Sequence, residues 1–204
     1  MKPGIGACIL SVSFVAALPN ASAQQAQVTT GTDDHRFRVT STTFTDGAAL
    51  PLSTVWNQCT AYPSGGNLSP QLAWSNAPRG TRSFIVIAYD VTASFTHWGM
   101  YNISPKAAGL PQNAGVAGSS YGLQVSNDFG DLSYDGPCPP TTLNPPKHHY
   151  VFTVYALDTM LPQLPSFGDF PPGAEALYHA LIVGAWGEHV LDSASIGGFF
   201  GSSP

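Results

Sequence analysis

Two stretches of this chain carry residues that could do chemistry. One is Gly118-Ser119-Ser120-Tyr121-Gly122, which fits the Gly-x-Ser-x-Gly pattern of a nucleophile elbow. An elbow works only on a sharp turn between a buried strand and a helix, with an Asp and a His following. No apolar strand leads into this motif and no helical period follows it, so Ser120 is expected to be a loop serine. The other stretch runs from Asp128 to Asp158. Pro137, Pro139 and Pro140 stiffen a loop that hands over to His148-His149-Tyr150 and then to Val151-Phe152-Thr153-Val154. Two imidazoles and a phenol therefore gather where a buried strand meets a rigid rim, an arrangement suited to a small-ligand pocket.

The elements that must position these groups are mainly strands. Ser83 to Asp90 is a continuous apolar run rich in β-branched residues, too short for an independent helix, and reads as a central strand covered on both faces. A strand from His97 to Ile103 follows it, and an alternating pattern from His35 to Phe44 predicts a half-buried opening strand. Asn67 to Trp74 reads as a turn running into a short strand, closed by a tight turn at Ala77-Pro78-Arg79-Gly80. Lys106 to Leu123 has no usable period and is expected to be loop, as is the proline-punctuated segment from Met160 to Pro172. Ala174 to Trp186, with Leu177, Leu181 and Gly184 at helical spacing behind Pro172, predicts the one helix. A mainly β protein results, most simply a sandwich.

At the N-terminus, Lys2, an apolar run from Ile5 to Leu18 and the small residues Ala21 and Ala23 predict a secretory signal peptide over residues 1–23, with residues 24–204 forming a single domain. The run is shorter than the ~18 apolar residues a membrane span requires and is broken by Ser11 and Ser13. Export to the periplasm or medium is therefore expected, and not integral membrane insertion. Cys8 leaves with the signal. Cys59 and Cys138 remain, and in an oxidising compartment two cysteines allow one bridge; two buried thiols are the alternative. The whole chain carries 7 Lys and Arg against 12 Asp and Glu, a net charge of −5. So few dispersed cations argue against a nucleic-acid partner, which needs a clustered basic track.

Asn67-Leu68-Ser69-Pro70 with Leu72 and Trp74, the strand ending in Asp90, His97-Trp98, Tyr134-Asp135-Gly136-Pro137-Cys138-Pro139-Pro140, His148-x-Tyr150 and Tyr155-Ala156-Leu157-Asp158 together resemble the phosphatidylethanolamine-binding proteins, in particular the bacterial branch labelled Raf kinase inhibitor-like. The likeness runs in consistent order over about residues 35 to 200. It implies a Greek-key antiparallel β-sandwich with peripheral helices and a small pocket for phosphate-like anions. By position, the resemblance implies that Asp90, His97, Gly136, Pro137, Pro139, His148 and Tyr150 bind the ligand. Three departures stand out. The family's Asp-Pro-Asp-Ala-Pro is here Asp90-Val91-Thr92-Ala93-Ser94, the Arg of its His-Arg-Tyr is His149, and its C-terminal Gly-Thr-Tyr resembles only Gly198-Phe199-Phe200. The lost acid and the lost Arg would have paired, so that losing both avoids stranding a buried charge.

Phosphate wants donors, which two imidazoles, a phenol and loop amides supply, with charge assistance when a His is protonated. An ionised Asp90 cannot donate to phosphate and is expected to orient an imidazole or meet a ligand ammonium. The competing explanation is that His97 and His148 are hydrogen-bonded core residues at strand ends. The expected function is a non-enzymatic binding module for a phosphorylated small molecule or phospholipid head group, with inhibition of a kinase or protease as a role some relatives have. The alternatives are a hydrolase using the pocket histidines and an extracellular interaction protein with a vestigial pocket. No paired metal-ligand spacing is present, so neither a metal nor a cofactor is expected. A homodimer is compatible with the sequence, and no protein partner is indicated.

Overall fold

The computed structural model describes residues 35–142, 146–166, 171–182 and 187–202. The expected signal peptide lies outside the described residues. In chain order the strands are β1 (Arg38–Thr40), β2 (Ala48–Ala49), β3 (Leu72–Ser75), β4 (Ser83–Asp90), β5 (Phe95–Ile103), β6 (Gly109–Leu110), β7 (Leu123–Val125), β8 (Lys147–Leu157) and β9 (Val190–Gly201), with one α-helix, α1 (Ala174–Ile182). They form a three-stranded sheet, β1-β3-β6, and a six-stranded sheet, β2-β9-β8-β4-β5-β7.

The lack of alternation in β4 follows from its two covered faces. Phe84, Val86 and Ala88 enter an apolar core shared with Leu72 and Trp74 of the smaller sheet and with Trp98, Met100, Phe152 and Val154 of the larger. Ile85 and Ile87 point the other way, into a second cluster closed by Leu177 and Leu181 of α1. The helix presents Leu177, Ala180 and Leu181 to that cluster, the spacing of one helical face. Ile85 is fully buried, so Ile85→Ala would open a cavity costing about 2–5 kcal/mol.

The mainly β class and the central strand agree with expectation, and four details differ. β2 pairs with β9 in parallel, so the larger sheet is mixed and not wholly antiparallel. Among the described residues α1 is the only α-helix, accompanied by 3-10 turns at Leu52–Thr54 and Gly187–His189; residues 183–186, the end of the expected helix, lie outside the described set. The opening strand is only Arg38–Thr40, because the chain then leaves the sheet as Thr42 N–H and Oγ1 turn to the side chain of Gln71. The expected loop from Lys106 contains β6 and runs into β7.

Cys59 and Cys138 are joined as a disulfide, Cα atoms 5.6 Å apart across a sequence separation of 79. A loop of that length gives about 4.5 kcal/mol in the chain-entropy picture. The bridge ties the proline-rich loop to the segment after the first 3-10 turn.

Candidate ligand-binding site

The polar groups collect where the intersheet core runs out. His148 and Tyr150 open β8 in phase with Phe152 and Val154, so they lie on the core face of the sheet. Asp90 ends β4 opposite Tyr150 of β8 and Phe95 of β5. His97 arrives by a β-bulge. Ala88 pairs with Trp98 and the next residue, Tyr89, pairs with Thr96, so His97 is the extra residue on β5. A bulge re-aims a side chain that strict alternation would send to the other face. Asp90, Ala93, Phe95, His97, Phe129, Cys138, Pro139, Pro140, His148 and Tyr150 then line a cavity of about 180 Å³.

Each imidazole is fixed from behind. His97 Nδ1 lies 2.6 Å from the carbonyl oxygen of Asp135, which can only accept, so Nδ1 carries the proton. His148 Nδ1 donates to Asp90 Oδ2 at 2.7 Å, with both side chains almost fully buried. Asp90 Oδ1 accepts the amides of Thr92 and Ala93 at 2.8 and 3.0 Å, so this carboxylate is committed to the protein and acts as an orienter. Nε2 of both rings is without a partner. Tyr62 Oη is the only side-chain polar atom among the described residues that is sealed from solvent and unbonded, so both Nε2 atoms open on the cavity. Burial holds the His97 pKa below its ordinary 6.5 despite the hydrogen bond to Asp135 and the fields of Asp90, Asp128 and Asp135. Burial, then the Asp90 carboxylate, push the Tyr150 phenol above its ordinary value.

The proline-rich loop serves two faces. Pro139 and Pro140 reach the cavity with Cys138, whereas Gly136 and Pro137 face the protein. The Gly136 amide donates to Asn67 Oδ1 at 2.8 Å, and the Pro137 carbonyl accepts from the Trp56 amide. Of the residues the resemblance implies for the ligand, Gly136 and Pro137 are not on the lining of this cavity, and their hydrogen bonds anchor its wall. Only Gly fits at 136, since a Cβ there would stand 1.8 Å from the Thr54 carbonyl oxygen. Behind the loop, the buried Asp135 carboxylate accepts from Asn67 Nδ2 at 2.9 Å and from Asn127 Nδ2 at 2.8 Å. Asn127 Oδ1 in turn takes the amides of Phe129 and Asp131, shaping the loop that delivers Phe129. Phe129 stacks on Trp56 and meets Phe95 and His97 edge-on, giving the cavity an aromatic rim. Phe95 and Phe129 went unforeseen, although the position of Phe95 two residues before His97 was a usable signal.

The departures from the family pattern meet in space. The His149 amide donates to Thr92 Oγ1 at 2.9 Å, so the positions of the missing acid and missing Arg are adjacent. The His149 ring instead stacks on Phe199, and a Cβ at Gly197 would come within 2.6 Å of it.

Ser120 is exposed in an irregular segment and does not line the cavity. Among the described residues no group of three His, Cys, Asp or Glu could hold a metal, and no helix is long and apolar enough to cross a membrane. A larger cleft of about 1000 Å³ lies between β5 and α1, with Thr96, Asp128, Glu175, Tyr178 and His179 on its walls.

Residues 40–201 match the family described as phosphatidylethanolamine-binding protein. The chain is 38% identical over 158 residues to YbcL of Escherichia coli, covering 74% of this chain and 79% of that protein. It is 37% identical over 141 residues to a protein of Methanothermobacter thermautotrophicus, covering 67% of this chain and 84% of the other. The crystal structure of E. coli YbcL, described as a new member of the mammalian PEBP family, superposes with a TM-score of 0.67 at 32% identity, covering 82% of this chain and 99% of that one. A Chlamydia trachomatis homologue gives a TM-score of 0.64 at 26% identity, covering 83% and 99%. With the match spanning most of the sequence and the same fold in its relatives, the chain belongs to the phosphatidylethanolamine-binding protein family.

Proposed function

We propose that this chain is an exported, non-enzymatic binding module whose cavity takes a phosphate-like group, from a phosphorylated small molecule or a phospholipid head group. The carrying observation is that His97 and His148 each spend Nδ1 on a fixed internal acceptor and leave Nε2 open on one small cavity. Core histidines needed only for packing would have no reason to converge this way. At about 180 Å³ the cavity holds roughly six waters, below the ~300–1,000 Å³ of sites for drug-sized ligands, so it suits a head group and not an acyl chain. Asp90 pairs with His148 and allows that ring to carry a proton, and thereby to donate to an anion, without an unpaired buried charge. Inhibition of a kinase or protease is the role the family resemblance offers for the bound or free surface.

Equilibrium titration with phenyl phosphate at pH ~6 and ~7.5 tests the proposal, since a binding-linked imidazole makes affinity rise towards the lower pH. Saturable binding supports it; no binding at either pH favours a vestigial pocket. Intact mass of exported protein tests removal of residues 1–23, and retention of Lys2 contradicts it.

A further inference from the structure

In their neutral forms the two imidazoles present this cavity with lone pairs, not protons. A backbone carbonyl can only accept, so the His97 proton is on Nδ1; Asp90 Oδ2 likewise accepts from His148 Nδ1. With neutral rings both open Nε2 atoms are acceptors. The surroundings add no positive charge. Asp90 from β4 and Asp128 and Asp135 from the neighbouring loops act on His97, Tyr150 of β8 meets its ring edge-on at 5.2 Å, and Phe95 and Phe129 are its other aromatic neighbours. Asp90 and Tyr150 face His148, and among the described residues no Lys or Arg lines the cavity. A fully ionised phosphate only accepts, so even with His148 charged by its pairing to Asp90 it would meet the bare Nε2 acceptor of His97 in a negative field.

We infer that the cavity selects oxyanions that still carry a proton: a phosphate or phosphonate monoester held as its monoanion, the P–OH donating to His97 Nε2 while His148, protonated and paired with Asp90, donates Nε2–H to an ionised oxygen. This rests on the phosphate-binding proposal above. A dianion over a protonated His97 has the same number of protons, but it places one on the ring whose charged form burial disfavours. A phosphate monoester dianion takes up a proton near pH ~6, so the proton can sit on the ester and leave the ring neutral. Sulfate esters and phosphodiesters have no such proton at any pH the fold meets, so the site discriminates against both, including diester lipid head groups. The monoester itself can be a free metabolite or an acidic lipid of the phosphatidic acid type.

The test uses the full mature chain. Calorimetry with phenyl phosphate, phenyl sulfate and methyl phenyl phosphate at pH ~6 should show phenyl phosphate tighter by about tenfold or more, the worth of one hydrogen bond to a charged group. The ³¹P shift of bound phenyl phosphate at pH ~7.5 should be that of the monoanion, although the free ester is mostly dianionic there. His97→Gln, whose amide can donate as well as accept, should shrink the phosphate-to-sulfate ratio; if this variant does not fold, the ³¹P measurement on wild type still decides. Co-sedimentation with phosphatidylcholine vesicles containing phosphatidic acid assigns the lipid source, and binding of phenyl phosphate without vesicle binding assigns a free metabolite. Phenyl sulfate within about threefold of phenyl phosphate, or a dianion shift in the bound state, overturns the inference while leaving a phosphate site standing. Failure of every ester to bind at either pH removes the phosphate proposal itself.

Discussion

Thr96 and His97 are neighbours on β5 that serve two different cavities. Thr96 faces the cleft of about 1000 Å³ under α1, and His97 faces the pocket of about 180 Å³ at the end of the core. The larger cleft has the more numerous polar groups, but Asp128, Glu175 and His179 are exposed there and keep their hydration. In the small pocket Asp90, His97 and His148 are 2%, 5% and 4% exposed, and each is held by internal hydrogen bonds. The difference teaches that the proposed site is distinguished by fixed polar groups and not by volume. Ordering cost has already been met in folding for the pocket and would fall on the ligand complex in the cleft.

Loss of the disulfide would break this contrast most severely. Cys59→Ser with Cys138→Ser should lower stability by up to about 4.5 kcal/mol and free the proline wall of the pocket, while α1 and the cleft stay intact. Urea unfolding gives the size, and an unchanged midpoint would show that the bridge constrains nothing. Next is Asp135→Ala, which strips the acceptor shared by Asn67 and Asn127 and should cost about 1.5–3 kcal/mol. A thermal melt indistinguishable from wild type would mean that water replaces the carboxylate at no cost.

A smaller effect comes from acid. Below pH ~6.5 the unfolded chain carries a protonated imidazole at position 97, whereas burial keeps the folded ring neutral to lower pH. The unfolded state then binds more protons, so this residue removes stability as pH falls from about 6.5 through the folded pKa. Wild type should lose stability over that window more steeply than His97→Phe, and parallel curves would contradict the assigned burial. The smallest expected effect is that of Ser120→Ala, which should leave any background ester hydrolysis unchanged because its serine is outside the pocket. Saturable hydrolysis abolished by that substitution would reverse this account of the motif.

Much of this was legible in the residues. The apolar run of β4, the helix face with Leu177 and Leu181, and the association of His148 and Tyr150 with a stiff loop could all be read, because each is a local pattern with a physical period. β9 escaped notice, since Asp192, Ser193, Ser195, Gly197 and Gly198 carry little hydrophobic alternation and the strand owes its existence to eleven paired positions along β8. The bulge at His97 is a register event between strands and leaves no mark in β5 alone. The inward use of Gly136 was hidden for a similar reason: a glycine required by Thr54, 82 positions earlier, looks the same as one required by a ligand. Side-chain chemistry can be read from residue types, whereas the partner a backbone amide takes, as Gly136 takes Asn67, cannot.

The central claim, that the small pocket and not the large cleft is the ligand site, is tested most directly by calorimetric titration of phenyl phosphate into wild type, His148→Ala and His179→Ala. Losing a charge-assisted hydrogen bond should cost His148→Ala about ten- to a hundredfold in affinity, while His179→Ala, exposed on the cleft wall, should bind as wild type does. Equal affinity in wild type and His148→Ala, with loss in His179→Ala, would move the site to the cleft and contradict the account.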